Sequence, residues 1–263
     1  MNRESLIKQP ARAGDSLPVS AARPLAVIAD THGNAAALEA VLDDIRRSGP
    51  ATIINLGDNA NGPLDPARTV SLLRSHEVLH VRGNGDRITA EGGKVGGSTG
   101  YAAERLNGEE LRWLGSLPTT LVGDGWIACH GSPQSDTGYL LEKVTENGVQ
   151  LRSASEVASL LSGVDAALIL CGHTHVARIV CVGDGRIVVN PGSVGLPAYD
   201  DLEPFPHRME TGSPHARYAW IERSGSSWRI ELRAIVYGWT QQAQIARERG
   251  WTEWARALET GYT

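Results

Sequence analysis

From Arg23 onward, short runs of Val, Ile, Leu and Ala alternate with longer stretches in which apolar residues recur every three or four positions. That alternation predicts buried strands separated by helices. Residues 25–29 form the first run, and residues 34–47 follow with Leu38, Val41, Leu42 and Ile45 on one helical face. Asn34 suits a helix cap and Gly49-Pro50 a stop. Residues 51–56 repeat the strand pattern, residues 66–76 carry Val70, Leu72 and Leu73 as the next helix, and residues 77–81 form a third strand. Beyond Gly83 the chain is rich in glycine through Gly100, which predicts a loop, with residues 91–100 serving as a lid.

Residues 106–117 read as a helix that ends at Pro118. Two hairpins are expected, over 119–129 around Gly123-Asp124-Gly125 and over 176–190 around Gly183-Asp184-Gly185, with residues 166–171 as a further strand. Residues 153–162 supply a helix, residues 216–221 and 228–236 close the strand pattern, and residues 240–258 predict a C-terminal helix bearing Trp251 and Trp254. This tail could dock on its own core or on another subunit. No packed element is evident between Pro197 and Pro214. The pattern yields an α/β chain with one domain over residues 23–263, preceded by a flexible segment at residues 1–22.

A chain of 263 residues can bury roughly 75% of the surface that its unfolded form exposes, so no disulfide staple is required. Cys129, Cys171 and Cys181 lie in apolar stretches and read as small core residues in a reduced cytoplasm. No apolar stretch reaches signal-peptide or membrane-spanning length, so no membrane partner is expected. The 25 basic against 30 acidic residues leave a net charge of -5. This field repels polyanions, which argues against nucleic acid as a partner, and any phosphate ester must be drawn in by local positive charge.

Five segments carry candidate chemistry: Asp30-Thr31-His32, Gly57-Asp58-Asn59, Gly83-Asn84-Gly85-Asp86, His130-Gly131 and Gly172-His173-Thr174-His175. Each follows an apolar run, so each falls in a loop at a strand end, where α/β enzymes collect their sites. Taken singly, these are ordinary turn residues or core histidines. Together they supply carboxylate, imidazole and carboxamide ligands without thiolate, a set suited to two divalent transition-metal ions such as Mn, Fe, Zn, Co or Ni. Two such ions roughly 3.5–4 Å apart can activate water and stabilise a phosphoryl group.

This ordered set resembles the calcineurin-like metallophosphoesterase superfamily, whose pattern runs Asp-x-His, Gly-Asp, Gly-Asn-x-Asp, His and Gly-His-x-His. The resemblance spans residues 25 to about 235. It implies a four-layer sandwich of two packed mixed β-sheets flanked by helices, and hydrolysis of a small phosphate ester by a metal-bridging hydroxide. It further implies one ion held by Asp30, His32, Asp58 and His175, and a second held by Asp58, Asn84, His130 and His173.

In many members the third block carries a histidine that acts at the leaving group, but position 85 here is Gly. That departure resembles the bacterial phosphodiesterase-like branch and favours diesters over monoesters. A Gly85→His exchange would then be expected to raise monoesterase activity. Asp86 is read as a catalytic-site carboxylate that orients a metal-binding histidine. Among Tyr199, Asp200, His207, His215 and Arg217, the pair His215 and Arg217 is the preferred replacement acid and phosphate clamp, with Arg87 as a further phosphate contact. The alternatives are a protein or nucleotide phosphomonoesterase, a nuclease, or a non-catalytic scaffold module of the same fold.

Overall fold

In the computed structural model, which describes residues 23–92 and 96–263, two five-stranded mixed sheets pack face to face with helices outside both. The chain begins with β1 (Leu25–Ile28), α1 (Ala35–Ser48), β2 (Thr52–Asn55), α2 (Pro66–Ser75) and β3 (Val78–His80). Three helices follow, α3 (Asn84–Glu91), α4 (Gly97–Ala103) and α5 (Gly108–Ser116). The middle section runs β4 (Thr120–Gly123), β5 (Trp126–Cys129), β6 (Glu142–Thr145), β7 (Gly148–Leu151), α6 (Ala154–Leu160), β8 (Leu168–Leu170), β9 (Arg178–Cys181) and β10 (Ile187–Asn190). Last come β11 (Ala198–Asp201), β12 (His207–Glu210), β13 (Ala216–Ser224), β14 (Ser227–Ile235), α7 (Trp239–Glu248) and α8 (Thr252–Thr260).

The first sheet has the order β14-β13-β1-β2-β3 and the second β4-β5-β8-β10-β9. Within them β1, β2 and β3 are mutually parallel, as are β5, β8 and β10, so their C-terminal ends share one edge of each sheet. Alternation along β1 explains the layering, because successive side chains point to opposite faces. Leu25, Val27 and Ala29 face Trp126, Ala128, Leu168 and Leu170 of the second sheet. Ala26 and Ile28 face the other way, onto Ala37, Leu38, Val41, Leu42 and Ile45 of α1. Each fully buried aliphatic side chain stabilises by roughly 1.5–3 kcal/mol. On the far side, Ile169, Cys171 and Val188 of the second sheet pack on Val157 and Leu161 at α6. The expected four layers are therefore present.

Local signals account for the helix ends. The Asn34 side chain caps α1 by accepting from the Ala37 N–H at 3.2 Å, while its own amide donates to the Gly195 carbonyl and the Tyr237 hydroxyl. A single residue thus starts the helix and ties it to the loop after β10.

Several expectations need correction. Among the described residues, the stretch from Gly83 to Gly100 is largely helical, because Asp86 accepts the Gly83 N–H and nucleates α3 despite the glycines; residues 93–95 of the expected lid lie outside the described residues, as does the segment 1–22. The C-terminal helix is two helices, since Gly250 takes φ +86° and turns the chain between α7 and α8. The tail docks on its own chain, with Leu258, Ala255, Ala243 and Ala246 around Leu64. Residues 197–214 do contain a packed element, the β11–β12 hairpin, and a further hairpin, β6–β7, falls where none was expected. Cys181 is exposed on β9, whereas Cys129 and Cys171 are buried as expected. No described helix is long and apolar enough to cross a membrane.

Candidate metal centre and cleft

All seven candidate ligands sit just beyond the C-terminal ends of β1, β2, β3, β5 and β8. There the backbone departs from strand geometry. Asp30, His32, Asp58, His173 and His175 all have positive φ, between 50° and 68°, a conformation in which Asp and His are enriched but which still costs energy. The loops compensate by bonding one another. Asp30 N donates to the Gly57 carbonyl, His32 N to that of Asp58 and Gly33 N to that of Asn59, each near 3.0 Å. Gly195 N reaches the Asp30 carbonyl, as does the Ser193 hydroxyl.

Each imidazole is aimed by its outer nitrogen. The Nδ1 of His32, His130 and His175 lies 3.2, 2.8 and 2.6 Å from the backbone carbonyls of Asn61, Leu56 and Leu196. Nε2 of His173 lies 3.2 Å from the Thr137 carbonyl. A carbonyl can only accept, so these nitrogens carry the ring proton and the other nitrogen of each neutral ring is a bare lone pair.

Those lone pairs converge on other acceptors. Nε2 of His32 and Nε2 of His175 stand 3.0 Å apart, with Asp30 Oδ1 3.6 Å from the latter. Nε2 of His130 stands 3.0 Å from Asn84 Oδ1 and 3.5 Å from Asp58 Oδ1. The neutral rings of His32 and His175 have no proton to place between them, and Asp30 Oδ1 is buried with no hydrogen-bond partner. Opposed acceptors in a buried site repel unless a cation lies between them. The groups Asp30, His32, His175 and Asp30, Asp58, His130 each place one ligand atom within 4.8 Å of the others. His173 flanks the second group, its ring centroid 4.9 Å from that of His130 and its backbone N–H donated to Asp30 Oδ2. Asp and His side chains are thus positioned to bind divalent metal.

The electrostatics agree. Burial holds the imidazoles of His32, His173 and His175 below the ordinary histidine range, His173 at about 4, so they are neutral ligands at neutral pH. Burial, together with the nearby charge of Asp58, raises Asp30 well above the carboxylate range. Burial also opposes the charge of Asp58, yet this carboxyl is held low by attraction to His130, His32 and His173 at the acidic pH where they carry a proton, and by the Gly85 N–H.

The other candidates are placed differently. Asp86 touches no histidine; it accepts from the backbone N–H groups of Asp58, Asn59 and Gly83 and from the Asn59 amide at 2.8–3.0 Å. It braces two ligand-bearing loops. Burial and the Asp58 charge push its carboxyl up to about 7. Arg87 is engaged by Asp136 through two hydrogen bonds at 2.7 and 3.2 Å. His215 bonds the Ser213 hydroxyl at 2.7 Å and lies against Trp239. Arg217 has a buried Nε without a partner. None of Arg87, His215 or Arg217 is among the residues that line the cleft.

That cleft has a volume of about 800 Å³ and is floored by His32, Asp58, Asn84, His173 and His175. Its walls include the β11–β12 hairpin, which contributes Tyr199 and Arg208, and α8, which contributes Trp254 and Arg256. Both arginines are exposed and, among the described residues, have no ion-pair partner. The sequence offered no signal for either: Arg208 lies in a stretch without periodicity and Arg256 on an ordinary polar helix face. Tyr199 packs edge-on against His175 and shares a 2.5 Å hydrogen bond with Tyr139, which also bonds His207. Asn61 also lines the floor, and it too went unnoticed because its place depends on what position 85 lacks. A Cβ at Gly85 would fall 2.7 Å from Asn61 Oδ1 and closer still to Nδ2 and Cγ. A side chain at position 85, histidine included, therefore requires the Asn61 carboxamide to turn aside.

Comparison with known proteins agrees with this geometry. Residues 24–205 match the model of the calcineurin-like phosphoesterase superfamily domain. The uncharacterized protein MJ0912 of Methanocaldococcus jannaschii is 29% identical over 190 residues, 66% of this chain and 76% of that protein. The crystal structure of a metallophosphoesterase from Sphaerobacter thermophilus is similar with a TM-score of 0.69 and 26% identity, covering 91% of this chain and 99% of that one. A putative diadenosine tetraphosphatase shares the fold at a TM-score of 0.54 and 18% identity, covering 85% of this chain and 98% of its own.

Two outcomes are expected. Asp86→Asn places an amide donor against N–H donors and should lower stability in urea unfolding by about 1.5–3 kcal/mol even without metal; an unchanged midpoint would remove the bracing role. Burial raises the Asp30 carboxyl and a bound divalent cation lowers it, so manganese binding should release protons, Asp30 contributing to them. Calorimetry in buffers of different ionisation enthalpy reads this directly, and Asp30→Asn should reduce the release.

Proposed function

The chain belongs to the calcineurin-like phosphoesterase superfamily, and from that premise we propose that it is a hydrolase of small phosphate esters, diesters in preference to monoesters, acting with two divalent transition-metal ions, manganese first among them. Asp30, His32, Asp58 and His175 would hold one ion, and Asp58, Asn84, His130 and His173 the other. Bound ions supply Lewis-acid polarisation of phosphoryl oxygens and water with a lowered pKa. The observation that carries the reading is the acceptor-to-acceptor contact of His32 with His175 at 3.0 Å, beside the buried and unpartnered Asp30 Oδ1.

The protein's own residues do the rest. Backbone carbonyls hold each imidazole in one tautomer, so no proton competes for the inner nitrogen. Two carboxylates and neutral side chains carry less charge than two divalent cations, which leaves the floor of the cleft positive for an anionic ester. Arg208 and Arg256 both line the cleft and can hold the outer oxygens of the ester, a task their guanidinium geometry suits. Trp254 and Tyr199 offer aromatic faces for an organic substituent. No side chain at position 85 gives a proton to the departing oxygen, an assistance worth typically ~10²–10⁴-fold, so esters of acidic alcohols and phenols are favoured.

The manganese-loaded protein should hydrolyse bis(4-nitrophenyl) phosphate faster than 4-nitrophenyl phosphate. Chelation should abolish turnover, and Asp58→Ala should lower kcat/KM by more than about 10²-fold, given that residues merely behind metal ligands are worth roughly 10–100-fold. A protein that holds two metals per chain yet releases nitrophenol from neither ester would overturn the proposal.

A further inference from the structure

Position 85 is empty of a side chain, but the space beside it is not empty. The Asn61 carboxamide fills it, with Oδ1, Cγ and Nδ2 all inside contact distance of where a residue-85 Cβ would stand. Asn61 is only 9% exposed and lies on the floor of the cleft beside Asp58 and Asn84. Its main-chain carbonyl aims His32. Its Nδ2 donates to Asp58 Oδ2 at 3.3 Å, which leaves the second amide hydrogen free. Its Oδ1 is buried without any hydrogen-bond partner. An acceptor left unpartnered in so enclosed a place costs free energy, so a carboxamide kept there calls for a role beyond packing.

We propose that Asn61 takes the place of the absent residue-85 side chain and touches the substrate, its free N–H donated to a phosphoryl oxygen. This deepens the phosphoesterase reading and rests on it. A carboxamide has no proton to transfer, so Asn61 binds and orients while the leaving oxygen departs as an anion. Positions 61 and 85 then form one steric unit: either Asn with Gly, or a small residue with a side chain at 85.

The first test needs no metal and no turnover. In the metal-free protein, Gly85→Ala should lower Tm by about 2–10 °C, as overpacking a filled site in a domain of this size does. In the Asn61→Gly background the same exchange should cost less than half as much. Equal losses in both backgrounds would refute the shared volume.

The second test uses manganese-loaded protein and aryl phosphodiesters of graded phenol acidity. Asn61→Ala should lower kcat/KM by about 10- to 100-fold, the worth of a hydrogen bond to a charged group, and by the same factor for good and poor leaving groups. A loss confined to poor leaving groups would mark Asn61 as part of a proton-transfer path and overturn the assignment. The Asn61→Gly, Gly85→His double variant should flatten the dependence on phenol acidity, whereas Gly85→His alone should not. Calorimetric binding of inorganic phosphate to the manganese-loaded protein supplies the remaining arm, with Asn61→Ala expected to weaken it about 10-fold. Unchanged phosphate affinity would sink the contact. Weakened phosphate binding without turnover by the unsubstituted protein would instead leave Asn61 in place and remove the phosphoesterase reading.

Discussion

Five residues in the left-handed backbone region, Asp30, His32, Asp58, His173 and His175, set the terms for everything else. Each conformation is unfavourable for a residue with a side chain, at a cost of order 1–3 kcal/mol. They persist because the loops that carry them are hydrogen-bonded to one another beyond the ends of the sheets, from Asp30 to Gly57, from His32 to Asp58 and from Gly195 to Asp30. That lattice closes only if both sheets present their parallel strands at the same edge. The close approach is tight enough that a Cβ at Gly195 would overlap the Thr31 carbonyl, so the loop after β10 can seat against the loop after β1 only through glycine.

The layers supply the rigidity that this lattice needs. β1 is buried on both faces, against the second sheet through Leu25 and Val27 and against α1 through Ala26 and Ile28. A strand gripped in this way has one register, and Asp30 and His32 inherit it. The buried environment then fixes the charge state of the site. It keeps imidazoles neutral and makes an isolated carboxylate costly, so the site is complementary to cations before any arrives.

Much of this was legible in the sequence, and the exceptions have physical causes. The five chemical segments were readable because each pairs an apolar strand with a short polar run, and α1 was readable because its apolar face has a clean helical period. The hairpin of residues 198–210 was not, since strand pairing there leaves Asp200, Asp201 and Arg208 exposed and imposes no hydrophobic alternation. Helix α3 was hidden by its glycines, because the carboxylate that starts it acts through backbone contacts rather than through composition. Arg208 and Arg256 acquire meaning only from the cleft that both line, and Asn61 only from the volume that Gly85 vacates. Local chemistry is written along the chain, whereas shared space is not.

The rim of the cleft carries Asp200, Asp201 and Glu253 beside the two arginines. For the proposed diester chemistry this rim discriminates between what arrives and what leaves. A diester is a monoanion, but the monoester it becomes gains charge near neutral pH, and a low-dielectric opening edged with carboxylates repels the more highly charged species more strongly. The same fringe that slightly weakens capture of the substrate offsets the pull of the positive floor on the product, which limits product inhibition while hydrolysis itself drives the cycle.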